Sequence, residues 1–189
     1  MNLNKSDLTA RLKDARAILI KKPKKVKVDL QTPFLKLQGC WEADEVEQRA
    51  AWELYVEMVT RIALEELKHG EGLLRDALTA LQEIFTETRQ ILRNYGPTVA
   101  RPKGEGNLSL GVIAVAVLNS TIRPVVAKWH PLLLAYEDTK KVKISVAEHE
   151  AAWEHNAELR AVLVDLQKTL QQYSLLLAEA AGIPPLKIA

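Results

Sequence analysis

A regular spacing of apolar residues between residues 44 and 95 constrains the fold more than any other feature of this sequence. From Val56 to Tyr95 the intervals alternate between three and four residues without interruption, and Gly70 lies on the stripe itself. This heptad pattern is typical of helices that pack along one face. It predicts one very long helix over about 44–95, or two collinear helices, with a close approach of another helix or a kink at Gly70. The stripe consists of Val56, Thr60, Ala63, Leu67, Gly70, Leu74, Ala77, Leu81, Ile84, Thr88, Ile91 and Tyr95.

The remaining helices are predicted from patterns of the same kind. A second unbroken seam runs from Ala152 to Ala180, and Asn156 is its polar exception. Asparagine on such a seam fixes the register of the packed helices. Together these patterns predict an all-α fold, an antiparallel bundle of about four helices that forms a single domain over residues 1–189. The other helical signals are a helix over residues 7–20, a capping box from Ser145 to Glu148, and a helix from about residue 110 with bends at Pro124 and Pro131.

Between the first two helices, apolar and polar residues alternate as they do in strands. Val26, Val28 and Leu30 alternate with polar residues ahead of a turn that contains proline. We therefore predict a small β-hairpin or extended clamp at residues 24–38, packed on the bundle. The lysines at the start of this segment and just before it resemble a nuclear-import signal. Short basic runs are common in solvated linkers, and we favour a solvated basic linker here. This basic patch consists of Lys21, Lys22, Lys24, Lys25 and Lys27.

Charge, cysteine content and hydropathy exclude several classes of protein. The formal net charge of +2 is too small to indicate nucleic acid or an anionic membrane as a partner. The single cysteine, Cys40, cannot form an internal disulfide, which excludes a disulfide-rich secreted scaffold. The most apolar run, residues 110–118, is far shorter than the ~20 residues of a membrane span, and the first residues are polar. We expect a soluble, cytoplasmic protein without a membrane partner.

The common catalytic and cofactor motifs do not occur in the sequence. It has no glycine-rich nucleotide-binding loop and no serine-nucleophile elbow. One cysteine and four scattered histidines do not make a zinc site. A di-iron site in a helical bundle needs two Glu-x-x-His pairs, and only Glu66 and His69 have that spacing. We therefore expect neither a metal ion nor another cofactor.

One pair of residues has a spacing associated with catalysis. Arg123 and His130 are separated by six residues, which resembles the Arg-x(4–6)-His motif of HEPN ribonucleases. That resemblance implies a helical, usually dimeric enzyme that cleaves RNA without a metal ion. By the resemblance, His130 would move the proton of the 2′-hydroxyl, and Arg123 would stabilise the developing negative charge. Pro124 follows the arginine, where the family has a polar residue.

A structural role for His130 is the other interpretation. It lies between Trp129 and Pro131, where proline interrupts the hydrogen bonds of the helix. A ring nitrogen of His130 is then expected to bond a carbonyl that Pro131 leaves free, such as that of Ala127.

The favoured function is a non-enzymatic helical module for protein–protein interaction, such as a regulatory or adaptor subunit. The partner is another protein or a second copy of the chain, and a nucleic acid only under the ribonuclease alternative. Aromatic residues are enriched at the cores of interfaces. We therefore assign the interaction surface to Trp41, Trp52 and Tyr55, at the start of the predicted long helix.

Overall fold

The structure is a computed structural model in which residues 24–61, 72–104 and 106–186 are described. Helices make up most of this part of the chain, and a small sheet lies at its N-terminal side. The helix predicted over residues 7–20 lies outside the described residues. In chain order the elements are β1 Lys24–Gln31, β2 Lys36–Ala43, α1 Glu45–Val59, α2 Leu74–Tyr95, a 3₁₀ turn Gly96–Ala100, β3 Asn107–Leu108, α3 Leu110–Val117, a π-helical turn Leu118–Ile122, α4 Arg123–Glu137, α5 Val146–Ala151 and α6 Asn156–Ala181.

The three-stranded sheet shows that the prediction of an all-α fold is wrong. β1 and β2 form an antiparallel hairpin in which Val28 lies opposite Gly39. β3 adds to β2 in parallel, with Leu108 opposite Trp41. The second strand continues to Ala43, so it includes Trp41, which was predicted to lie at the start of the long helix. Trp41 and Ala43 are buried, so the alternation of a half-buried strand extends further than the predicted clamp.

The predicted helix over residues 44–95 is not continuous. α1 ends at Val59, and α2 packs against it in the antiparallel direction. Two contacts show this direction: Arg61 bonds Glu83, and Tyr95 bonds Glu53. Heptad spacing identifies residues that share a helix face, and two antiparallel helices satisfy it as well as one long helix does. Gly70, where the kink was predicted, lies outside the described residues.

Two acidic side chains determine where α1 begins. The Asp44 carboxylate accepts a hydrogen bond from the Glu47 nitrogen at 3.0 Å, and the Glu47 carboxylate accepts one from the Asp44 nitrogen at 3.2 Å. This reciprocal capping box satisfies backbone donors that the first helical turn leaves free. The Glu47 side chain is fully buried, and the Lys103 ammonium contacts its carboxylate. The capping box therefore fixes Asp44 as the boundary between β2 and α1.

The apolar stretch from Leu110 to Glu137 is helical throughout and contains a π-helical turn. This turn directly precedes Arg123 and Pro124, and Pro124 has no N–H to donate to the carbonyl four residues earlier. Pro131 lies inside α4. Among the described residues this stretch alone is long and apolar enough to cross a membrane, and a window of 18 of its residues has a mean hydropathy of 1.8. Half of that 18-residue window is buried inside the protein.

α6 packs along both α1 and β1 and supplies much of the core. The seam predicted for this part of the chain starts at Ala152, but α6 begins only at Asn156, whose side chain donates to the Glu150 carbonyl at 2.9 Å. Gly182 ends α6 with a positive φ of 74°, a conformation that favours glycine. The buried seam residues of α6 are Leu159, Leu163, Leu166, Leu170, Tyr173, Leu177 and Ala180.

Candidate functional site

The outer edge of β1 is the first candidate for a functional surface. The strand order is β1-β2-β3, so no described strand pairs with this edge. An edge strand presents N–H and C=O groups on which another chain can form a ladder of hydrogen bonds. β1 spans 8 residues, which is long for an exposed edge.

The hydrogen bonds of β2 show which backbone groups of β1 point to the open edge. The Cys40 nitrogen donates to the Gly106 carbonyl at 3.3 Å, so the Cys40 backbone faces β3 and not β1. Lys27 lies opposite Cys40, and in such a non-bonded antiparallel pair both backbones point away from each other. The N–H and C=O of Lys27 therefore face the open edge. By the same alternation, Lys25, Asp29 and Gln31 also face the edge, whereas Val26, Val28 and Leu30 face β2.

Apart from Lys24 at its start, the polar residues of β1 are the ones whose backbone faces the edge. Lys25 and Lys27 are exposed, and their ion pairs with Glu42 and Asp29 are long, at 3.9 and 4.0 Å. Gln31 and Gln38 donate to the Asp29 carboxylate at 3.0 and 3.1 Å. These hydrogen bonds lower the pKa of Asp29, so the carboxyl stays ionised at neutral pH. Of the predicted basic patch, Lys24, Lys25 and Lys27 thus lie on β1, and Lys21 and Lys22 lie outside the described residues.

A groove runs between this edge and the exposed flank of α6, and we call it the edge groove. It contains two neighbouring cavities of about 440 Å³ each, which share Leu175 and Glu179. Leu175 is 52% exposed, an unusual position for a leucine beside a helix seam. From β1 the lining residues are Lys24, Lys27, Asp29, Leu30 and Gln31; from α6 they are Gln172, Leu175, Leu176 and Glu179; Gly182, Ile183 and Pro185 close one end.

The sequence contains a signal for part of this groove that is not among the predictions above. Leu175 lies two residues from Tyr173 and from Leu177, both members of the predicted seam. A residue at that offset points away from the buried stripe of an α-helix. Its apolar side chain therefore marks an exposed patch on α6. No comparable signal shows which edge of β1 is free, because that depends on the distant strand β3.

The three aromatic residues assigned to an interaction surface are only partly on the surface. Trp41 is 0% and Tyr55 is 1% exposed, so both belong to the core. The Tyr55 hydroxyl accepts a hydrogen bond from the Leu186 nitrogen at 2.6 Å. Trp52 remains 43% exposed, with its ring 6.2 Å from that of Tyr55. Most of the aromatic area that suggested an interface is thus used inside the chain.

The residues of the ribonuclease alternative both lie on α4 but in different surroundings. Two helical turns separate Arg123 from His130, about 10 Å along the axis. The Arg123 guanidinium lies over the Phe85 ring at 5.6 Å, in a cavity of about 410 Å³ between α2 and α4. His130 does not line that cavity. Its ring bonds no residue in the described part of the chain, so the hydrogen bond predicted with Ala127 is not formed.

A cluster of aromatic rings fastens the segment after α4 to the helix. The Tyr136 ring stacks on the His149 ring with centroids 4.2 Å apart. The Tyr136 hydroxyl donates to the His149 carbonyl at 2.9 Å, and the His149 Nε2 lies 3.0 Å from the Tyr136 carbonyl. The Trp153 ring stacks on that of Tyr136 with centroids 5.8 Å apart, and it meets the Trp129 ring edge to face at 6.1 Å. Since the polar groups of Tyr136 and His149 bond each other's backbone carbonyls, the cluster has a structural role: it holds α5 against α4.

Over residues 24–61, 72–104 and 106–186, no group of three or more histidine, cysteine, aspartate or glutamate side chains is arranged to hold a metal ion. The edge groove and the Arg123 cavity are thus the surfaces with the most distinct chemistry. Compared with known proteins, the chain matches no family model, no curated protein and no solved structure.

Proposed function

We propose that this chain is a non-enzymatic protein–protein interaction module, of the regulatory or adaptor type, and that it binds its partner at the edge groove. One observation carries the proposal: the open backbone edge of β1 and the exposed Leu175 side chain line the same groove. Open backbone groups supply hydrogen bonds to another chain, and an exposed apolar side chain beside them gains from burial.

The side chains of the groove suit binding better than catalysis. Among the described lining residues there is no histidine or cysteine. Asp29 is held in its ionised form by hydrogen bonds, which lower its pKa and weaken it as a general base near neutral pH. Lys24 and Lys27 are exposed, so their side chains are accessible to a partner.

A photo-crosslinking experiment tests the proposal. p-Benzoylphenylalanine replaces Leu175 in one form of the protein and Leu132, an exposed leucine of α4, in the control. We expect irradiation in cells of the source organism to link a defined protein to position 175 and not to position 132. The purified partner should then bind Leu175→Arg at least about tenfold more weakly than wild type, since a charge replaces buried apolar area. Leu132→Arg is the matched control and should bind as wild type.

Two results would contradict the proposal. One is the same set of crosslinked proteins at both positions, which indicates non-specific contact. The other is a purified partner that binds Leu175→Arg and wild type equally well.

A further inference from the structure

We propose that the partner contributes an extended segment that binds as a fourth strand, antiparallel to β1, with acidic side chains opposite Lys25 and Lys27. This inference rests on the proposed function and specifies the chemistry of its partner. The backbone of β1 supports it, because every second residue from Lys25 to Gln31 directs its N–H and C=O to the open edge. An antiparallel strand makes two hydrogen bonds with each such residue.

The order of charges along the edge specifies the polar residues of the segment. In an antiparallel pair, directly opposite side chains lie on the same face of the sheet and interact. Lys25, Lys27 and Asp29 present two positive charges followed by one negative charge on the exposed face. The segment therefore carries acidic residues opposite both lysines and a basic or neutral residue opposite Asp29. Gln31, the last residue of the edge, accepts a neutral polar partner.

The apolar residues of the segment are specified by α6. Residues between the polar positions point to the opposite face of the sheet, where α6 lies. There they meet Leu175, which is exposed, and Leu176, which is buried with 7% of its surface exposed. β-Branched residues such as valine suit this position, since they combine a preference for strands with apolar area. The segment is thus an alternation of valine-like residues with two acids.

A second copy of this chain fits the edge less well than a separate segment does. If two β1 strands paired across a twofold axis, Lys27 of each would lie opposite Asp29 of the other, which is favourable. The same symmetry places both α6 helices on one face of the joined sheet. Neighbouring strands are about 4.8 Å apart, whereas packed helices need about 8–10 Å between their axes. Because the flank of α6 lines a groove beside the edge, the two helices would overlap. A segment without its own helix layer avoids this overlap.

The orientation of Lys27 provides a sharp test with a matched pair of variants. Its N–H is not used in pairing with β2, so Lys27→Pro removes only a donor at the open edge and the proline ring blocks the added strand. Lys27→Ala removes the same charge but keeps the donor. Binding that persists in Lys27→Ala but is lost in Lys27→Pro indicates strand addition. Loss of the charge alone would weaken binding equally in both variants.

The probe is a fluorescent peptide as long as β1. It has valine at every second position, lysine opposite Asp29 and glutamate opposite Lys27 and Lys25. A control peptide of identical composition exchanges the lysine with the neighbouring glutamate, so that like charges face each other at Asp29 and Lys27. Fluorescence anisotropy with the full chain should show about tenfold tighter binding of the probe than of the control. We expect Lys27→Ala to weaken binding of the probe by no more than about fivefold, and Lys27→Pro to weaken it by at least about fiftyfold.

Equal affinity for the two peptides, or wild-type affinity in Lys27→Pro, would overturn the inference. So would a dimer in sedimentation velocity that Lys27→Pro converts to monomer, because a second copy would then occupy the edge. The inference and the proposed function fail separately. A partner crosslinked at position 175, together with a probe that does not bind, removes strand addition and leaves the interaction module.

Discussion

Both carboxylate oxygens of Glu150 lie 2.9 Å from the backbone nitrogen of Leu74, the first residue of α2. Leu73, at the N-cap position, offers no side chain to this helix terminus. The cap is supplied instead by a residue far along the chain, at the end of α5. A carboxylate is favoured there because the terminus has free N–H groups and the positive end of the helix dipole. Glu150 therefore holds α2 and α5 together.

Glu47 likewise caps the start of a helix that lies far from it in the sequence, α3. Its Oε1 accepts a hydrogen bond at 3.0 Å from the nitrogen of Leu110, the first residue of α3. Its other oxygen takes part in the capping box of α1, so one buried carboxylate serves two helix termini. Lys103 balances the charge. α1 and α3 are thus joined through the polar contacts of Glu47 as well as through the apolar core.

Replacing Glu47 should strongly destabilise the fold. Glu47→Ala removes an acceptor from the first turns of α1 and α3 and leaves the half-buried Lys103 without its closest carboxylate. Breaking a buried ion pair from one side costs about 3–5 kcal/mol. We expect a loss of that order in the free energy of unfolding, measured by urea denaturation. Glu45→Ala, which removes an exposed ion pair with Arg49 on the same helix, is the control and should cost less than about 0.5 kcal/mol.

The stability of the protein should depend on pH through Glu150. Burial raises the pKa of this carboxyl above its usual 4.5, although the hydrogen bond from the Leu74 nitrogen opposes the shift. A raised pKa means that the folded state binds the proton more tightly than the unfolded chain does. The resulting stabilisation is complete below the unfolded-state pKa and is lost as the pH rises through the folded-state pKa.

Glu150→Gln keeps an acceptor for Leu74 but cannot ionise. We expect the free energy of unfolding of wild type to fall relative to that of Glu150→Gln as the pH rises from mildly acidic to neutral. Parallel denaturation series at several pH values give this difference directly. A difference that is constant with pH, or that grows in favour of wild type toward neutral pH, contradicts the raised pKa.

The orientation of the β1 backbone can be checked through stability alone. Lys27→Pro should leave the pairing with β2 intact and change the free energy of unfolding by less than about 1 kcal/mol, as expected for an outward N–H on an edge strand. Val28→Pro should cost more, about 1–3 kcal/mol, because it removes a donor to β2 and leaves a buried acceptor unpaired. Similar losses in the two variants would show that the alternation of bonded and free residues is assigned incorrectly.

Signals within a few residues of each other were the ones that the sequence made predictable. The capping box of Ser145 and Glu148 is confirmed, with bonds of 3.1 Å in both directions, although it opens the short α5 and not the long last helix. Contacts that depend on chain reversal were not predictable. The heptad pattern is the same for one helix and for two antiparallel helices. It therefore does not predict that Arg61 pairs with Glu83.

The candidate site was only partly predictable for the same reason. Alternation at Val28 and its neighbours indicates a strand, but the free edge is defined by β3, which has only 2 residues and no periodicity. Trp41 was assigned to an interface because aromatic residues are common there, yet in the strand it points into the core. Burial of a side chain depends on which elements cover it, and spacing along the chain does not contain that information.

The ribonuclease alternative gives a clear expectation for RNA cleavage. Catalysis on one phosphate requires the imidazole and the guanidinium to reach the same group. The Arg123 guanidinium instead lies on the Phe85 ring, and His130 is about two helical turns away, outside that cavity. We expect purified wild type and His130→Ala to leave single-stranded RNA intact in EDTA. Neither protein should cleave more RNA than is cleaved in buffer alone. Cleavage by wild type that a folded His130→Ala and a folded Arg123→Ala both lose would establish the ribonuclease in place of the interaction module. Circular dichroism of the variants provides the control for folding.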